Sequence, residues 1–117
     1  GDNDLAEGYE PEENLTRVAQ FFKWAKTDFP GIPLYIVLVK HCPARDALRE
    51  KRQRLNDLLT DFASKNAIEV IDLNKVVLDE KGNYNLDCFE GDGLHINRRG
   101  NLLFAQLLKN IFSRNIC

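Results

Sequence analysis

Apolar positions recur along this chain in two rhythms. Leu15, Val18, Phe22, Ala25 and Phe29 fall three to four residues apart, which predicts one face of an amphipathic helix. Pro30, Gly31 and Pro33 end that helix. Trp24 and the phenylalanines share the helical spacing and read as core. Leu34 to Val39, L-Y-I-V-L-V, is then a continuous apolar run. Such a run predicts a strand buried on both faces, as in a parallel sheet covered by helices. The helical rhythm returns from about Ala44 to Lys65, with Leu48, Leu55, Leu58, Leu59 and Phe62 as its stripe. Arg45, Arg49, Lys51, Arg52 and Arg54 read as its solvated face, since Asp46 and Glu50 interleave them and no aromatic residue does. Ile68 to Leu73 is a second short strand. Asn74 to Cys88 is a long connection with a turn at Lys81-Gly82-Asn83. A last helix runs from about Arg98 to Asn115, with Asn97 as cap and Leu103, Leu107 and Ile111 inward.

Helix, strand, helix, strand, loop, helix is the order of an α/β fold with a parallel sheet. No internal repeat, linker or low-complexity segment interrupts it. Two strands alone make a poor parallel sheet, and the run Leu34–Val39 would leave a long apolar edge. A partner that supplies strands, or membership of a larger domain, is the expectation.

The rest of the composition narrows the picture. The 117 residues allow one domain with a sizeable core, and 44% apolar against 29% charged residues argues against disorder. A net charge of −2 makes neither nucleic acid nor an anionic membrane the default partner. No apolar run approaches the roughly 18–20 residues of a membrane span, and no signal-peptide core is present. Methionine is absent and the chain begins at Gly1, which predicts a piece of something longer. Residues 1–14 carry Asp2, Asp4, Glu7, Glu10, Glu12 and Glu13 with no basic residue, and Gly8 and Pro11 interrupt them. This reads as an acidic loop leading into a helix capped by Asn14. Asn14-Leu15-Thr16 also fits a glycosylation sequon. The acidic segment lacks the full ligand pattern of a calcium loop. Cys42, Cys88 and Cys117 show no framework spacing. That favours a reduced setting and leaves open one disulfide with one free thiol.

Candidate chemistry concentrates in Asp92-Gly93-Leu94-His95, on the loop before the last helix. A carboxylate three residues before a histidine on a turn can accept an imidazole N–H. That fixes the tautomer and leaves the other nitrogen as a general base. The same pattern also fits an ordinary loop histidine paired with an acid. Gly1-Asp2-Asn3-Asp4 adds an amide, a neutral donor suited to a developing oxyanion; it also fits a simple Asx turn. Cys88, seven residues before His95, reads as an apolar filler before it reads as a nucleophile. His41, Cys42, Cys88 and His95 follow no zinc-ligand spacing.

Taken together, these residues resemble the SGNH (GDSL-type) esterases and lipases. Gly1-x-Asn3-Asp4 resembles their third sequence block, and Asp92-x-x-His95 their fifth. The settings Asp4-Leu5-Ala6, Pro43-Ala44-Arg45, Val70-Ile71-Asp72 and Phe89-Glu90-Gly91-Asp92-Gly93-Leu94-His95-Ile96-Asn97 are similar as well. The resemblance implies a three-layer α/β/α flavodoxin-like fold, with residues 1–117 as the C-terminal portion of one domain. It implies that Asn3 binds the oxyanion, His95 is the base and Asp92 orients it. The nucleophilic serine and the oxyanion glycine of the family's first two blocks lie upstream of the Gly-x-Asn-Asp block. Ser64 and Ser113 fall in predicted helices without a Gly-Asp-Ser context, so neither takes that role. The expected function is serine-dependent hydrolysis of small or acetylated carboxylic esters, with no metal or organic cofactor, the chain alone being inactive. The alternative is a non-catalytic, esterase-like module that assembles, by self-association or with the missing segment, through its apolar edge.

Overall fold

A computed structural model describes residues 8–114. It contains helix α1 (Pro11–Asp28), strand β1 (Tyr35–Val37), a 3-10 segment at Pro43–Leu48, helix α2 (Arg49–Lys65) and strand β2 (Glu69–Ile71). A short helix α3 (Asn74–Val77), a 3-10 turn at Leu86–Cys88 and helix α4 (Arg98–Arg114) follow. The chain is mixed α/β, and its strands pair in parallel, with Tyr35 opposite Glu69, Ile36 opposite Val70 and Val37 opposite Ile71. The structure divides into two compact units, residues 8–39 with 47–71 and residues 40–46 with 72–114.

In the first unit α1 packs on α2, and α2 on β2. Its core joins Phe22, Ile36, Leu38, Leu55, Leu59, Ala63 and Ile68. Asn56 is buried in the middle of α2. Its Nδ2 donates to the Val39 carbonyl at 2.9 Å, and its Oδ1 accepts the Val39 N–H at 2.8 Å. One side chain thus completes both backbone groups of Val39, just past β1, without a neighbouring strand. Helix α2 ends in a Schellman turn. Ala67 takes φ = 55°, and the Ile68 N–H donates to the Ala63 carbonyl at 3.0 Å. Lys26 Nζ covers the Asn66 carbonyl at 2.8 Å.

Several expectations for this unit are corrected. Pro11 opens α1 instead of interrupting it, with Glu10 as N-cap. At the first helical position the missing N–H is one that would have no helical partner, and the ring presets φ. Asn14 therefore lies inside the helix, buried, with Nδ2 on the Glu10 carbonyl, so neither the cap nor an accessible sequon stands. Trp24 is 50% exposed and Phe29 47%. They stack edge to face at 5.4 Å, and Trp24 also touches Phe21 at 5.8 Å; the aromatic spacing marks a surface cluster beside the core face. Val37 is exposed while Ile36 and Leu38 are buried, because β1 borders an open groove lined also by Val18, Phe21 and Phe22. The strand is not buried on both faces. The second helix starts at Arg49, since the chain kinks at Arg45 (φ −123°, ψ 33°) within the 3-10 segment that Pro43 opens. Arg52 is fully buried and leaves the solvated face assigned to it.

The second unit is built around Cys42, Val77, Cys88 and Phe89, with Leu94, Ile96, Tyr84 and Phe104 packed against them. The connection after β2 is more ordered than a loop. Asp79 Oδ1 accepts the N–H groups of Lys81 and Asn83, the expected turn, and Leu78 bridges Tyr84. In α4, Ile111 is buried and Leu107 half-buried. Leu103 is exposed, with Phe104 taking the inward position expected of it.

Candidate active site

The Asp92–His95 loop is a small antiparallel excursion closed at its base. Asn97 N–H donates to the Cys88 carbonyl at 3.0 Å, and Glu90 N–H to the His95 carbonyl at 2.8 Å; Phe89 and Ile96 bridge. Gly93 sits at the tip with φ = 66°, a left-handed value that a residue with a Cβ adopts at a cost. Side chains then alternate as on a strand. Leu94 and Ile96 pack against the apolar cluster, and His95 between them points out, its side chain 72% exposed.

Asn97 ties this loop to α4. Its Oδ1 accepts the Gly100 N–H at 2.9 Å, the N-cap bond expected of it. Its Nδ2 donates to the Asp87 carbonyl at 2.7 Å and to the Phe89 carbonyl at 3.3 Å. Gly100 lets the helix come close. A Cβ there would lie 2.3 Å from Ile96 Cγ2 and 2.6 Å from the Cys88 carbonyl oxygen.

The carboxylate of Asp92 accepts from three donors. Oδ1 accepts the N–H groups of Leu94 (2.9 Å) and His95 (3.0 Å), and Oδ2 lies 2.6 Å from His95 Nδ1. The imidazole hydrogen bond first, and the two backbone N–H groups next, hold the Asp92 carboxyl well below the usual carboxylate range. An ionised carboxylate only accepts, so Nδ1 must be the donor. The neutral ring then carries its lone pair on Nε2, which makes no hydrogen bond among the described residues. This arrangement can take up a proton at Nε2 and stabilise the imidazolium that results.

The other candidates separate from this pair. Asn3 lies outside the described residues. Cys88 is buried, with Sγ 4.0 Å from the Val76 carbonyl oxygen; burial pushes its thiol up, away from the thiolate a nucleophile needs. Cys42 is a second buried free thiol, and Cys117 lies outside the described residues. His41 is buried, its backbone N–H on Asn74 Oδ1 at 2.8 Å. Among the described residues no three His, Cys, Asp or Glu side chains gather to hold a metal. Ser64 and Ser113 lie in α2 and α4 and are exposed. No described helix is long and apolar enough to cross a membrane. Sequence reading missed Lys40, whose Nζ donates to the Leu94 carbonyl at 3.2 Å, and Ala44, whose N–H donates to the Gly93 carbonyl at 3.0 Å. Ala44 belongs to the Pro43-Ala44-Arg45 segment noted above, but both contacts reach carbonyls 49 or more positions away, which no local pattern encodes.

Two solved structures share this fold. One is a GDSL-like lipase from Bacteroides thetaiotaomicron VPI-5482, with a TM-score of 0.79 and 23% identity over 99% of this chain. The other is a candidate acylhydrolase from Bacteroides fragilis NCTC 9343, with a TM-score of 0.76 and 18% identity over 100% of it. The chain spans 60% of the length of each. No curated protein matches it. The model of the GDSL-like lipase/acylhydrolase family, however, matches residues 1–103, a stretch that includes the whole Asp92–His95 loop and the start of α4. This chain belongs to the GDSL-like lipase/acylhydrolase family.

Proposed function

We propose that this chain carries the base half of a serine-dependent carboxylic-ester hydrolase, as the C-terminal portion of a single catalytic domain. The observation behind the reading is the 2.6 Å contact between Asp92 Oδ2 and His95 Nδ1 on an exposed imidazole. In this mechanism a serine from outside the chain attacks the ester carbonyl carbon, and Nε2 of His95 accepts the hydroxyl proton. Asp92 holds the ring and stabilises the imidazolium. The side-chain amide of Asn3 donates to the oxyanion of the tetrahedral intermediate. Collapse breaks the ester C–O bond, and His95 returns the proton to the departing alcohol. Water, deprotonated by the same nitrogen, then releases the acid and restores the serine. Small or acetylated esters are the proposed substrates.

The test compares the chain alone with the chain joined to the residues encoded upstream of Gly1, using p-nitrophenyl acetate. Turnover is expected only in the longer protein. There His95→Ala should abolish it, and Asp92→Asn should lower kcat by about 10⁴-fold. Turnover indifferent to His95→Ala would overturn the reading. Fluorophosphonate labelling of the chain alone, lost in His95→Ala, would place the nucleophile within these residues instead.

A second reading is a non-catalytic module that assembles through β1. The exposed Val37 and the groove between α1 and β1 favour it. Light scattering over a concentration series tests it: a growing mass supports assembly, and a constant monomer mass counts against it.

A further inference from the structure

Both peptide groups that donate to Asp92 are themselves gripped from behind. The His95 N–H that reaches Asp92 Oδ1 belongs to the same peptide as the Leu94 carbonyl, and that carbonyl accepts from Lys40 Nζ at 3.2 Å. The Leu94 N–H that reaches the same oxygen shares its peptide with the Gly93 carbonyl, which accepts from Ala44 N–H at 3.0 Å. The segment from Lys40 to Ala44 thus drives two hydrogen-bonded chains into one carboxylate oxygen. A donor on a peptide carbonyl polarises the group and strengthens its N–H as a donor, and a cationic donor does so most. Lys40 is half-buried, and its ammonium lies over the Phe89 ring, 6.0 Å from its centre. A Cβ built at Gly93 would lie 3.4 Å from both Ala44 N and Pro43 Cβ, so the two segments are in direct van der Waals contact there.

We propose that Lys40 is a positioning residue for the Asp92–His95 pair, acting through the Leu94–His95 peptide; the catalytic meaning of this role rests on the esterase reading above. Lys40 touches neither reacting group. Its ammonium sets the orientation and donor strength of the His95 N–H. That bond fixes the Asp92 carboxylate, and the carboxylate fixes the imidazole.

The experiment is NMR on the full chain with Lys40→Met, which keeps the apolar stem and removes the ammonium, and Lys40→Arg, which keeps a cationic donor. In Lys40→Met the His95 amide should exchange about tenfold faster, the scale of one lost hydrogen bond. The Asp92 carboxyl carbon should titrate at higher pH than in the parent. Lys40→Arg should return both towards the parent. In the longer, active protein Lys40→Met should lower kcat with KM unchanged. A folded Lys40→Met with parental His95 exchange and parental Asp92 titration overturns the proposal. Absence of ester turnover in the longer protein would refute the esterase reading alone, because the two NMR readouts do not depend on it.

Discussion

Gly100→Ala sets two effects of opposite sign against each other. In an exposed helix interior the change gains about 0.8–1 kcal/mol from helix propensity. Here the new Cβ would sit 2.3 Å from Ile96 Cγ2 and 2.6 Å from the Cys88 carbonyl oxygen. Both fall under the 3.0 Å that real Cβ contacts essentially never go below, so something must shift. Ile96 is itself packed against the apolar cluster around Phe89. The Cys88 carbonyl is backbone, and it already accepts the Asn97 N–H at 3.0 Å. Overpacking a closed site costs about 1–3 kcal/mol, and a backbone neighbour that cannot yield puts this case at the upper end. The net expectation is a loss of about 2 kcal/mol, a fall in Tm of roughly 6–12 °C for a domain of this size. Thermal unfolding by circular dichroism reads it, with Gly91→Ala as control, since a Cβ there meets nothing within 4 Å. A Gly100→Ala protein as stable as the parent, or more so, would refute the claim that α4 lies hard against the base of the Asp92–His95 loop.

Asn56→Ala strips both partners from the Val39 backbone and should cost about 2–4 kcal/mol in urea unfolding; a loss below ~1 kcal/mol would mean water replaces the amide. Ala67→Gly relieves a left-handed alanine and should stabilise by about 1 kcal/mol, visible as a higher urea midpoint. The carboxyl of Asp92 is depressed in the folded chain, so the unfolded state binds the extra proton in acid. Its stabilising contribution is complete above the unfolded carboxyl value of about 3.9 and fades as pH falls below it. Urea midpoints measured downward from pH ~5 should therefore converge between the parent and Asp92→Asn; parallel curves would argue against the contact.

The sequence was readable where one element's own pattern decides the outcome. The rhythm of Leu15, Val18 and Phe22 placed α1, and the run through Ile36 and Leu38 placed β1, because burial of these side chains is a property of local spacing. The Asp92–His95 pair was readable for the same reason: three residues and a glycine suffice to bring its groups together. Failures arose where a distant partner sets the outcome. Asn56 breaks the apolar stripe of α2, and its two hydrogen bonds to the Val39 backbone, 17 positions away, explain it. Arg52 looked like one cation among several, but the helix turns it inward. Trp24 and Phe29 followed the helical spacing closely enough to resemble core, yet sit on its margin. Lys40 reads as an ordinary lysine after a strand, and its role exists only through the Leu94 carbonyl.

The most direct test of the account is the tautomer of the neutral His95 ring, read from its long-range ¹H–¹⁵N correlations in the full chain. A carboxylate fixed at 2.6 Å from Nδ1 requires the proton on Nδ1 and the lone pair on Nε2, and that is the pattern expected. A ring carrying its proton on Nε2 would contradict it, since such a histidine could not serve as the base.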